Sequence, residues 1–198
     1  GTVVFTDLLG MTTAPGQRVR IASINPGIEV NDGEVSFSLT GGRLVRLESG
    51  SWPFMGGMLR LQPLAITIGA PEERRWVLEI DGLDAARFIA HMELGNLAAS
   101  GIFDGTIPIV FDRNGNGQLE NGVLRVRAPG GHLSYVGAMT YEDAGWASNL
   151  AFAALRDMRF NEAEVVMNGP LTGELVTQVR FEGIRQGETA RQNLITRR

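Results

Sequence analysis

The feature that most narrows what this chain can fold into is the run from Gly101 to Gly137, GIFDGTIPIVFDRNGNGQLENGVLRVRAPGGHLSYVG. Short alternating apolar segments are separated there by Gly, Asn, Asp and Pro. Ile107, Ile109 and Phe111 alternate with Pro108, Val110 and Asp112, and Leu124 and Val126 alternate with Arg125 and Arg127. Side chains two apart share a face of an extended chain, so each segment predicts a strand with one apolar face. Asn114-Gly115, Asn116-Gly117 and Asn121-Gly122 supply the positive φ that hairpin turns require.

Part of this pattern occurs earlier, because VNDGEVSFSLTGGRLVRL from Val30 aligns without a gap on LENGVLRVRAPGGHLSYV from Leu119. Gly33, Gly41, Gly42 and Leu44 meet Gly122, Gly130, Gly131 and Leu133, while Val35 and Phe37 meet Leu124 and Val126 in the same parity. Either one supersecondary unit is reused or two hairpins converged.

A chain of 198 residues can bury one substantial core or two small ones, and 26 Gly with 8 Pro lean towards many turns and therefore many strands. The expected fold is mainly β, a curved, taco-like antiparallel sheet carrying two short helices. A net charge of −4 argues against a nucleic-acid partner, which needs clustered positive charge to displace counterions. All 18 cations are Arg, so Lys chemistry is absent, and without cysteine there is no disulfide, thiolate nucleophile or Cys-based zinc site. No apolar run approaches the roughly 20 residues of a spanning helix. Gly1-Thr2 reads as a cut boundary more than a natural start.

Along the chain, Thr2 to Leu9, Val19 to Ile24 and Glu34 to Leu39 read as strands, the last with Val35, Phe37 and Leu39 on one face. Ser51-Trp52-Pro53-Phe54 with Gly56-Gly57 reads as a break before Met58 to Leu61, and Leu64, Ile66 and Ile68 alternate again. Trp76, Leu78 and Ile80 form a strand after the charged turn Pro71 to Arg75. A helix is expected next, with Asp81 as N-cap, Ala85, Phe88, Ile89 and Met92 as its stripe and Gly95 at its C-cap. A second, shorter helix is expected from Leu150 to Met158. Ala163, Val165 and Met167 then lead through Asn168-Gly169-Pro170 into Leu171, Leu175, Val179 and Phe181, which share one parity. The division expected is a single β-rich domain over 1–183, followed by a polar, Arg-rich tail over 184–198.

Asp112, Asn114 and Asn116 stand where an EF-hand loop has its first ligands, but Val123 falls where a bidentate Glu is required. A calcium site completed by Glu120 is the weaker reading and a plain turn the stronger. His91 and His132 have no second His nearby, and Glu72-Glu73 and Glu142-Asp143 are adjacent carboxylates in polar turns. None predicts a metal, a cofactor or a catalytic pair, and no nucleophile elbow, P-loop or dinucleotide fingerprint is present. Trp52, Phe54 and Trp76 suit either a core or the edge of a ligand groove.

The run GIFDGTIPIVFDRNGNGQLENGVLRVRAPGGHLSYVG, the segment NLAFAALRDMRF and the closing NGPLTGELVTQVRFEGIRQG resemble the C-terminal region of YdbH-like proteins, relatives of the AsmA and TamB envelope proteins; SWPFMGG is similar to an upstream element. The resemblance spans roughly residues 30 to 190. It implies the end of a long periplasmic bridge, anchored in the inner membrane through a segment outside this chain, that passes phospholipid between inner and outer membranes along an apolar β groove. The label dicarboxylate transport, attached to some members, does not suit a β-rich segment without spanning helices. The resemblance also implies a partner, a small outer-membrane lipoprotein that adds a strand to the last edge, with Leu171, Leu175, Val179 and Phe181 as docking candidates.

Under that reading Val35, Phe37, Leu39, Leu124, Val126, Val179 and Phe181 line a groove for phospholipid acyl chains. The same parity suits a closed core, and periodicity does not separate the two. The remaining alternatives are a docking or capping module that carries no lipid, and a hydrolase or carbohydrate-active enzyme in which distant carboxylates converge.

Overall fold

The computed structural model describes residues 2–24, 29–135 and 157–186. A small hairpin, β1 (Phe5–Asp7) with β2 (Thr12–Thr13), precedes β3 (Gln17–Ile24), β4 (Val30–Thr40), β5 (Leu44–Phe54), β6 (Gly57–Leu61), β7 (Leu64–Thr67) and β8 (Arg74–Asp84). After α1 (Ala85–His91) come β9 (Leu97–Ser100), β10 (Ile102–Phe111), β11 (Gly117–Val126) and β12 (Gly131–Tyr135). The last strands are β13 (Met158–Phe160), β14 (Glu162–Pro170), β15 (Val176–Glu182) and β16 (Arg185–Gln186).

Ten of these strands make one antiparallel sheet in the order β15-β14-β11-β10-β8-β6-β5-β4-β3, with β7 also beside β5. Among the described residues its ends, β3 and β15, do not meet, so the sheet is open. A second sheet runs β16-β13-β12-β9. The order is a meander because successive strands joined by tight turns pair with each other; β7, α1 with β9, and β12 with β13 are the three interruptions among the described residues.

Local rules misplace several elements, each time because pairing across the sheet decides. The segment read as a break at Trp52-Pro53 is the end of β5, where Trp52 pairs with Leu59 and Pro53 with Met58. Pairing of β4 with β5 reaches only to Ser51, so Pro53 lies where β5 has a neighbour on one side and its missing N–H is tolerated. The helix starts three residues later than Asp81 suggests, since Leu83 and Asp84 are held in β8 by Phe103 and Ile102. Asp84 is the N-cap, its Oδ1 accepting from Ala86 N at 2.8 Å, and Met92, not Gly95, is the C-cap.

Most of the second helix expected, 150–156, lies outside the described residues. Its last residue, Met158, opens β13 and pairs with Leu133 and Gln186, which leaves one helix among the described residues. Asn121-Gly122 makes no hairpin; Asn121 has φ 53° at a bulge inside β11, where its N–H donates to Asn168 Oδ1 at 2.7 Å. Asn168, Gly169 and Pro170 end β14, and the turn to β15 follows them. The repeated sequence also serves two ends. In the first copy Gly41 and Gly42 close the β4–β5 hairpin, whereas in the second Gly130 and Gly131 carry the chain out of the main sheet into β12.

Candidate functional site

One cross-strand row sets the character of the main sheet. Trp52 on β5 stands opposite Leu59 on β6, then Ile80 on β8, Gly105 on β10, Leu124 on β11, Val165 on β14 and Val179 on β15. Opposed residues share a face, so this is an apolar file across seven strands, on the order of 30 Å at about 4.8 Å per strand. A neighbouring file carries Val19, Val35, Gly50, Leu61, Leu78 and Ile107. On the other face Asp104, Arg125, Glu164 and Arg180 stand opposite one another with alternating charge, and Arg125 pairs with Glu164 at 2.6 Å. The sheet is two-faced from end to end.

Gly105 interrupts the apolar file for a steric reason. A Cβ there would lie 1.9 Å from the carbonyl oxygen of Val123, so any side chain would force β10 and β11 apart.

The apolar face is covered at its β8 to β15 end by α1 and the second sheet, and an apolar cavity of about 380 Å³ remains between the layers. Leu124, Val165, Val179 and Phe181 form its floor, and Phe88, Leu97, Leu133 and Phe160 its roof. The polar side chains on its wall are Ser100, Thr177 and His132, whose Nε2 lies 2.8 Å from Asp157 Oδ1. Val179 is 49% exposed on the edge strand, so the cavity reaches the surface beside β15. Such a space excludes water and rewards an apolar occupant.

Both indole N–H groups of this face are anomalous. The Nε1 atoms of Trp52 and Trp76 are buried and have no acceptor among the described residues.

The polar clusters lie elsewhere and their partners are internal. Arg127 donates from Nε and Nη2 to Asp104 and from Nη2 to Asp81, which also accepts from Arg60 at 2.6 Å. Hydrogen bonds from Arg60 and then Arg127 hold the Asp81 carboxyl below its ordinary value, and the bond from Arg127 does the same for Asp104. With Gly82 N donating to Asp104 Oδ1 at 2.8 Å, the cluster pins the bulge in β8. Asp112 spends its carboxylate on its own loop, accepting from the N–H groups of Asn114 and Asn116 and from the Asn116 amide, with its acidity increased accordingly. Glu120 pairs with Arg75 at 3.5 Å, and Asn114 enters the loop through its backbone. Among the described residues no three His, Cys, Asp or Glu side chains gather as a metal site.

A family model described as YdbH-like, intermembrane phospholipid transport protein YdbH, matches residues 1–192. The chain belongs to the YdbH-like family. No curated protein and no solved structure matches it. No helix among the described residues is long and apolar enough to cross a membrane.

In this YdbH-like chain the groove candidates share one face but not one environment. Leu124, Val179 and Phe181 line the cavity, and Val126 packs against the core cluster beside it. Val35 is buried in that cluster near Trp52, whereas Phe37 and Leu39 continue the face towards the turn at Gly41, half-buried, opposite Leu47 and Val45. Of the docking candidates, Leu171 and Leu175 lie in the turn before β15 while Val179 and Phe181 stand on it. Sequence reasoning missed the cavity roof. Phe88, Leu97 and Leu133 come from a helix and two short strands, and only the second sheet brings them over Leu124.

Proposed function

We propose that this chain is a segment of a periplasmic bridge along which phospholipid moves passively between inner and outer membranes, acyl chains on the apolar face and headgroups at its open margin. The observation that carries the reading is the apolar file from Trp52 to Val179, broken only at Gly105, whose β11 to β15 end floors an apolar cavity that opens at the edge strand. Family membership supports it. Each methylene withdrawn from water contributes about 0.8 kcal/mol, and a continuous apolar face restores at each step what is lost on leaving the last, so no energy source is required on the path. The edge β15 offers unpaired backbone groups to one further strand, for which a small outer-membrane lipoprotein is the partner proposed, and membrane anchoring belongs to segments outside this chain. Residues 1–183 act as one unit in this scheme and 184–198 as an appendage tied to it where β16 pairs with β13. The chain acts without catalysis.

Val179→Asp tests it, because the residue is half exposed and its substitution need not disturb the core. A carboxylate at the cavity mouth is expected to lower the phospholipid retained by the purified protein at least about tenfold, since a charge is not buried unpaired. Arg180→Asp, on the opposite face, is expected to leave retention unchanged. Equal retention in both variants and the wild type would favour a capping module that carries no lipid.

A further inference from the structure

At the opposite ends of β8 and β10 from the cavity, a second cleft of about 450 Å³ lies between the start of β8 and the β10–β11 turn. Arg74, Trp76, Leu78 and Ile80 alternate onto one face of β8, so a guanidinium stands at the start of that strand's apolar side. Trp76 meets Phe111 edge to face at 5.5 Å, and both line the cleft beside Glu72, Arg74, Asp112 and Arg113.

Three features set the cleft apart. Among the described residues Arg113 has no ion-pair partner, and the Arg74 guanidinium donates only to the Ala70 carbonyl, at 3.0 Å. The buried Trp76 N–H has no acceptor among the described residues. Asp112 is committed to its own loop, so of the two carboxylates Glu72 alone is open to a ligand.

We propose that this cleft is a headgroup station that reads a zwitterionic phosphodiester, Arg74 and Arg113 holding the phosphate and Glu72 the ammonium. The proposal rests on the lipid-carrying reading of the apolar face. Two cations balance two carboxylates, so the cleft favours a ligand with both signs of charge over a net anion. Trp76 and Phe111 give the cleft an apolar wall, against which the start of an acyl chain would lie. Phosphate chemistry alone would also admit a free phosphodiester. The apolar rings of Trp76 and Phe111, which line the cleft beside its charges, are what assign the site to a lipid.

The test measures binding of three probes with identical acyl chains, phosphatidylethanolamine, phosphatidylglycerol and diacylglycerol, and of water-soluble glycerophosphoethanolamine. The proteins are the wild type, the double variant Arg74→Gln/Arg113→Gln, and Glu72→Gln. The double variant is expected to lose about tenfold or more for both phospholipids, as the loss of charge-assisted hydrogen bonds implies, while diacylglycerol binding holds. Glu72→Gln is expected to erase the preference for phosphatidylethanolamine over phosphatidylglycerol. Should the double variant misfold by circular dichroism, Arg113→Gln alone carries the same expectation at smaller size. Unchanged phospholipid binding in the variants overturns the station while leaving the apolar track standing. Glycerophosphoethanolamine binding as tight as the lipid also overturns it, in favour of a soluble-phosphodiester site. No probe bound by the wild type removes the track and the station together.

Discussion

Gly33→Ala is the most exacting test of how the apolar face is built. Gly33 lies on β4 under the Trp52 indole, and a Cβ there would come to 1.9 Å from Nε1, 2.2 Å from Cδ1 and 2.6 Å from Cε2. Ordinary contact requires about 3.5 Å or more, so the ring would have to move by over an ångström. It has nowhere to go, because Trp52 is only 3% exposed and its far edge lies so close over Gly50 that a Cβ on Gly50 would be 2.9 Å from Cη2. Overpacking of this kind costs about 1–3 kcal/mol, and expelling the indole about 3–5. A loss near 3 kcal/mol is expected. For a chain of this size it lowers Tm by roughly 6–12 °C.

Urea unfolding followed by far-ultraviolet circular dichroism measures this directly. Gly115→Ala serves as a control: a Cβ there meets nothing within 4 Å, and its φ of +87° costs about 1 kcal/mol. If the clash is the mechanism, Gly33→Ala should add almost nothing in a Trp52→Leu background, a coupling of about 3 kcal/mol between the two positions. A Gly33→Ala variant within about 0.5 kcal/mol of wild type, or strict additivity with Trp52→Leu, would refute the packing argument.

Replacing Arg127 by Met takes from Asp104 its arginine and from Asp81 one of its two, Arg60 remaining. Their depressed pKa values contribute stability above the ordinary carboxylate value of 3.8, and that contribution fades as pH falls through the lower folded values. The variant should therefore be less stable than wild type at neutral pH, with the gap closing as acid is added below about pH 4. A gap that stays constant down to about pH 2 would contradict the clasp. Asp112→Ala should lower Tm by a few degrees, roughly 1 kcal/mol for the lost turn bonds, while millimolar calcium leaves the wild-type Tm in place. A calcium-dependent rise in Tm would restore the ion-binding reading of that loop.

The strands were legible because parity is local. Ile107, Ile109, Phe111, Leu124 and Val126 fall on the face their alternation assigns them, and Asp112 to Gly117 turn the chain where Asn and Gly allow it. Bulges are not legible in this way. The extra residue at Glu48 on β5, and those near Asp81 on β8 and Asn121 on β11, shift the register by one without any local mark in hydropathy. Asp81 looked like a cap for the same reason, since the pairing of Leu83 with Phe103 is made by residues distant in sequence. Half of the candidate site was therefore open to reading, the floor of Leu124, Val179 and Phe181. Its roof, and the cleft that joins Arg74 to Arg113, depend on which strands the topology brings together.

Site-specific photo-crosslinking to phospholipid in cells is the most direct measurement of the central claim, with probes in the full-length protein at Leu124 and Val179 and at their opposite-face neighbours Arg125 and Arg180. Lipid adducts at Leu124 and Val179 but not at Arg125 or Arg180 are the predicted result. Adducts on both faces alike, or on neither in a folded protein, would contradict an apolar track through this segment.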